Sequence, residues 1–282
     1  PTLDSSVGIW RYNVITGNSP SSGTASDYSF YTNGVSYLVS TQALADFSTI
    51  ATNRIGFDGS DNGTNAILDE IRVTDGVRRG SDWIQTEYNN QSSPGTFYSY
   101  GGVSVEVRAS AGVGVKSSGG AGLSWYSSSW GYRKAIIVDH TKVATSTSLS
   151  NFPMLFSVTD TDLKYTGSGG KVGKTDGTDI LFTSSDGTTK LDHEIEKYSS
   201  TTGETIIWVE VPSLSGVNDT TLYIYFGNSG ASDQQNITGV WDGNYKGVWH
   251  LPNGSTLSGS DSTSNVDNLS FTSASTNAGK IY

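Results

Sequence analysis

The sequence predicts an all-β protein made of two antiparallel units, and three observations carry that reading. Charged residues make up 16% of the 282 positions and aromatics 11%, in a background rich in Gly, Ser and Thr; this is the composition of turn-rich β structure. Short stretches alternate apolar and polar residues between turn signals. A single stretch argues for a helix.

Taken in order, "GIWRYNVI" alternates like a strand, and "YSFYTNGVSYLV" is a hairpin whose Asn33-Gly34 suits the two positive-φ positions of a type I′ turn. "RIGFDG" and "AILDEIRVTDG" make a second strand pair around a Gly/Asp/Asn loop. "GSDWIQTEYNNQSSPG" predicts a helix of about two turns, with Ser81 as N-cap, Asp82 in the first turn, Ile84 and Tyr88 on one face, and Pro94 as the stop. Residues 101–124 read as a Gly/Ser spacer or an edge ribbon. From Trp125, "YRKAIIVDH", "FPMLFSV", "TDILFTSSDGTTKLDHEIEKY", "ETIIWVEVP" and "TLYIYFGN" give regular short strands, the third turning at Ser185-Asp186-Gly187, as a sandwich requires. "VWDGNYKGVWHL" follows and opens another strand on Trp249 and Leu251.

Charge and composition exclude some functions. The net charge is −10 and the 17 Lys and Arg are scattered, so a phosphate backbone meets no basic stripe and nucleic acid is not a partner. No apolar run reaches the length of a membrane span, so no membrane insertion is expected. The absence of Cys removes disulfides, thiolate metal sites and thiol nucleophiles, and fits a prokaryotic or viral exterior.

The stretches "DGTDILFTSSDGTTKLDHEIEKY", "TIIWVEVPSLSG" and "TLYIYFGNSGASD" resemble a prokaryotic β-sandwich family catalogued only as a domain of unknown function. Residues 1–101, through "GFDGSDNGTNAILDEIRVTDGVRRGSDWIQTEYNNQSSPGTFYSYG", resemble the second half of a laminin-G-type, concanavalin A-like jelly roll, and "GVWHL" followed by "DST" resembles the start of one. The resemblance implies four segments: 1–101 the end of a jelly roll, 102–124 a linker, 125–236 the sandwich, and 237–282 the opening strands of a jelly roll. Half a jelly roll leaves an apolar face and an unpaired edge, so something must complete it. The two ends can meet within one chain, a tandem repeat can supply the missing part, or a neighbouring chain can add its strands through Trp249 and Leu251. The reading favours a neighbouring chain or repeat.

The candidate chemistry is sparse. Asp58, Ser60, Asn62, Gly63 and Asp69 approximate the oxygen spacing of a calcium loop, with weak affinity expected, Kd about 10⁻⁴ to 10⁻³ M, against the plainer reading of a hairpin loop with Asx turns. In "DEIRV", strand alternation places Asp69, Ile71 and Val73 on one face and Glu70 with Arg72 outward. In "DHEIEKY", Asp192, Glu194 and Glu196 share a face; paired carboxylates can serve glycoside hydrolysis, but a solvated acidic face is the simpler account. His140, His193 and His250 lie far apart in sequence, and no nucleophile motif occurs. The expectation is a non-enzymatic extracellular structural or adhesive protein of a surface fibre or appendage. It would take copies of itself as partners and need no cofactor beyond weakly bound calcium. The alternative is a carbohydrate-binding, lectin-like module for polysaccharide.

Overall fold

The computed structural model describes residues 11–17, 28–37, 69–75, 77–106, 124–251 and 258–271. The chain divides into two compact units: unit 1 joins residues 1–88 to 243–282, and unit 2 is residues 89–242. Both are built on antiparallel strands, as the composition predicts.

Unit 1 begins with β1 (Asn13–Gly17), which pairs with β2 (Tyr28–Thr32), which in turn pairs with β3 (Val35–Tyr37). Asn33 and Gly34 connect β2 and β3 with φ of 51° and 77°, the left-handed pair that a type I′ turn needs. The Asn33 carboxamide also accepts the Tyr12 N–H at 3.0 Å, which ties the turn to the approach of β1. β4 (Ile71–Thr74) follows. Helix α1 (Ser81–Ser92) is 12 residues long, longer than two turns; its last residues, of weak helix propensity, are held by tertiary bonds described below.

The boundary between the units falls inside α1. In unit 2, the short α2 (Pro94–Phe97) leads into β5 (Tyr98–Tyr100), and β6 (Ser104–Val105) comes next. β7 (Tyr132–Val138) pairs with both of them, Tyr98 opposite Val138 and Ser104 opposite Arg133. "YSY" at 98–100 thus pairs within unit 2, which begins at Asn89. Next come β8 (Ser148–Thr159), β9 (Leu181–Thr183), β10 (Lys190–Leu191), β11 (His193–Tyr198), β12 (Glu204–Ser215), β13 (Thr220–Phe226) and the single-turn α3 (Ile237–Val240). One sheet runs β10-β9-β13-β7-β5 with β6 also on β7, and the other β11-β12-β8. Their facing sides share a core in which Phe156 of β8 meets Phe182 of β9 edge to face at 5.6 Å and stacks on Tyr98 at 5.6 Å.

Both edges of the three-stranded sheet are closed. On β8, Leu155 exchanges two hydrogen bonds with the Asn90 carboxamide, its N–H donating at 2.6 Å and its carbonyl accepting at 3.0 Å. Two residues on, Ser157 does the same with the Tyr98 hydroxyl at 2.8 and 3.0 Å. Pro153, two residues before Leu155, points the same way and has no N–H to offer. On β11 the Ile195 N–H reaches the Gln235 carboxamide at 2.7 Å, and the His193 carbonyl accepts the Asn236 N–H at 3.1 Å. Side chains thus fill the positions where a foreign strand would pair. Asn90, which begins an N-x-S sequon, is 1% exposed with its carboxamide bonded to Leu155, so it cannot carry a glycan in the folded state.

The chain then returns to unit 1 as β14 (Tyr245–Trp249), which pairs antiparallel with β4: Trp249 opposite Ile71, Val248 opposite Arg72. Residues 71–74 and 245–249 thus pair within one chain. Pairing of β14 with β4 within one chain is one of the three completions that the sequence leaves open. Behind β14, the "DST" residues build a scaffold: the Asp261 carboxylate accepts the N–H groups of Val248, Thr263 and Asp267 at 3.0, 2.9 and 2.9 Å. Burial raises the Asp261 pKa, and these three N–H bonds outweigh it and hold the group below its ordinary value. The Trp249 indole N–H donates to the Asp267 carbonyl at 2.9 Å.

Candidate functional site

The acidic row of β11 is the best catalytic candidate the sequence offers. A bulge between Ile195 and Lys197 shifts its register on β12. Glu194 is 6% exposed and accepts the Trp241 indole N–H at 2.8 Å, while Glu196 accepts the Trp208 indole N–H at 2.6 Å. The two indoles stand 5.7 Å apart. The expected solvated acidic face is therefore corrected in part: Glu194 is buried against Trp241, Asp192 and Glu196 stay half-buried, and both glutamates serve as hydrogen-bond acceptors for buried rings. On β12, Glu210 is pushed up to about 7, first by burial and then by Asp192 and Asp242 nearby. Gly239 sits against Asp192, where an added Cβ would come 2.3 Å from the carboxylate.

The opposite face of β11 holds His193, fully buried against Phe182 with ring centroids 5.4 Å apart. Burial pulls its pKa down to about 4. An unfolded His takes up its proton near 6.5, so protonation favours the unfolded chain. His193 should cost unit 2 nothing above pH about 6.5 and about 3 kcal/mol by pH 4. Glu210 acts in the opposite sense, adding stability as pH falls from about 7 through 4.5. Between pH 7.5 and 4 the denaturant midpoint of the wild type should drop relative to that of His193→Met, Glu210 being common to both; a difference between the two that does not change with pH would contradict the assignment.

In unit 1, "DEIR" is arranged opposite to the alternation argument. Glu70 and Arg72 face inward, with side chains 11% and 12% exposed, and Val73 is 45% exposed. Arg72 donates to Glu70 at 2.8 Å and to Glu87 of α1 at 3.2 Å; Glu87 also accepts the Tyr12 hydroxyl at 2.6 Å. His250, just after β14, pairs with Glu70 at 2.8 Å. The carboxylates and the guanidinium satisfy one another, which is what permits their burial. His250 and Arg72 hold Glu70 below its ordinary pKa against the opposing effect of its burial.

Of the proposed calcium ligands, Asp69 is 8% exposed at the foot of β4, and Asp58 and Asn62 lie outside the described residues. Trp249, read as an assembly residue, is 7% exposed within the β4–β14 joint; Leu251 is half-buried with φ of 50°. In unit 2, Asp139, His140 and Asp219 bring ligand atoms within 4.8 Å of one another on the surface. Asp219 there accepts the His140 ring N–H and main-chain N–H at 2.6 and 3.1 Å, and Asp139 caps Thr141, so each group already has a local role. Among the described residues no helix is long and apolar enough to cross a membrane.

The segment from Asp176 to Gly247 runs from the approach to β9 into β14. A family model described as "Domain of unknown function (DUF2341)" matches residues 176–247. No curated protein and no solved structure matches the chain. Within the DUF2341 match lies the residue that sequence reasoning missed, Asp179. It is fully buried, and its carboxylate accepts four main-chain N–H groups, from Gly173, Lys174, Gly227 and Asn228, at 2.8–3.0 Å. Its carbonyl accepts the Trp130 indole N–H at 2.7 Å. Asp186, in the same match, turns the β9–β10 hairpin by accepting the N–H groups of Thr188 and Thr189 at 2.7 and 2.8 Å. An Asp between "DGT" and an apolar strand, with a Gly-Asn pair later in the chain, is the signal that could have found Asp179.

Proposed function

We propose that the chain is a non-enzymatic structural or adhesive module of an exterior fibre or appendage, and that the β4–β14 joint is where neighbouring copies connect. The observation that carries this reading is that joint itself: unit 1 is assembled from chain segments on either side of unit 2. Contacts made between segments of one chain can be made identically between two, so exchange of the 243–282 segment gives a heterologous, propagating contact at little cost. The Asp261 scaffold supports it, since it organises the segment behind β14 from its own residues. The engaged edges of β8 and β11 support it too, since they leave the three-stranded sheet of unit 2 few free main-chain groups for strand addition. A split laminin-G-like jelly roll is the fold we propose for unit 1. The indole-bonded carboxylates of β11 favour a structural over a hydrolytic role. The test is the mass of the full chain by light scattering across concentration, with and without excess peptide 243–282. Concentration-dependent oligomers that the peptide shortens support the reading; a monomer at every concentration overturns it.

A further inference from the structure

Lys134 of β7 is a buried amine that no function so far has used. Its side chain is 7% exposed and touches the carboxylate of Asp160, 26 positions later at the end of β8. A second carboxylate, Asp162, lies 2.8 Å from the same Nζ, and the ring of Tyr100 covers the amine at 4.8 Å. Asp162 is in turn paired with Lys171, whose side chain is 32% exposed. The main-chain N–H of Asp162 donates to Asp160 at 2.9 Å and fixes the Asp160 carboxylate toward the amine.

We propose that Lys134 and Asp160 condense to an intramolecular amide that ties the two sheets of unit 2 together. The ammonium of Lys134 passes a proton through Asp162 to the Asp160 carboxylate. The freed lone pair on Nζ attacks Cγ of Asp160, a C–N bond forms, and the C–O bond breaks with its electron pair leaving on oxygen. That oxygen carries away two protons of the original ammonium as water, and Asp162 ends ionised as it began. Three features of the site favour the step. Amine and carboxyl are held in contact, which replaces a bimolecular encounter by an intramolecular one. Burial of the amine, 7% exposed beneath the Tyr100 ring, limits the access of water to the bond once formed. Condensation also erases two buried charges that are costly to desolvate, and the remaining Asp162 and Lys171 form a balanced pair nearer the solvent.

The test is the mass of the intact, denatured full-length chain, followed by peptide mapping. The expected result is a mass one water below that of the sequence, and a branched peptide joining Lys134 to Asp160. In Lys134→Arg both should vanish. A succinimide at an Asp-Gly pair such as Asp176-Gly177 also loses one water, but it survives Lys134→Arg and yields no branched peptide. A wild-type chain at full sequence mass, or one whose water loss is the same in Lys134→Arg and yields no branched peptide, overturns the proposal.

Discussion

Replacing Asp179 by Ala should destabilise unit 2 by about 4 kcal/mol, a fall in Tm of roughly 8–16 °C. Four main-chain N–H groups would lose their acceptor inside a site that is fully buried, and a methyl group offers nothing in return. The loss should exceed that of most single changes because it orphans donors from two loops at once, 173–174 and 227–228. Asp179→Asn separates the acceptor role from packing. One oxygen of Asp179 accepts from Gly173, Gly227 and Asn228, while the other accepts only from Lys174. An Asn can keep the first three bonds and present its amide to Lys174, so it should lose about half as much as Ala. Calorimetry on the two variants checks this. An Asn variant as damaged as the Ala variant would mean that the charge, not the acceptor geometry, holds these loops.

Ending the chain at Asp242 should remove the fold of unit 1 while leaving that of unit 2. Tyr245, Val248 and Trp249 are 3%, 0% and 7% exposed, and burying side chains of this size contributes about 2 kcal/mol each. Their sum, about 6 kcal/mol, is comparable to the whole stability of a small domain. β4 would also lose its partner strand, and Glu70 would lose His250. Hydrogen exchange should show the amides of β4 and of the β1–β3 sheet unprotected in the truncated chain, with β8, β12 and β13 protected as in the full one. Retained protection in β4 would show that residues 11–88 hold themselves together.

Much of the fold is legible in the sequence because local chemistry dictates it. Asn33-Gly34 admits few alternatives to a tight hairpin, and Asp186-Gly187 likewise fixes the β9–β10 turn. The apolar runs of β12 and β13, β-branched and aromatic, have no helical period to compete with them. What stays hidden depends on partners far along the chain. Strand alternation alone sends Glu70 and Arg72 to the solvent, because nothing near them shows that Glu87, Tyr12 and His250 wait on the inner side. The end of α1 is read as too short because "NNQS" propagates a helix poorly, yet Asn90 is anchored by two bonds to Leu155. Glu194 and Glu196 look like a wetted face until Trp241 and Trp208 are placed against them. The family resemblance marks the stretch that the family model matches, yet not the main-chain contacts that Asp179 and Asp186 make within it.

The exchange of the C-terminal segment between copies is measured most directly by energy transfer across the β4–β14 joint. The chain has no Cys, so single cysteines report without background. Val73, 45% exposed on β4, is replaced by Cys and given a donor; Lys246, exposed on β14, is replaced by Cys in a separate batch and given an acceptor. The two batches are unfolded, mixed and refolded together. The account predicts energy transfer between chains that rises with protein concentration and travels with species larger than a monomer. Absence of transfer at every concentration, with both labelled chains refolded as monomers, would contradict it.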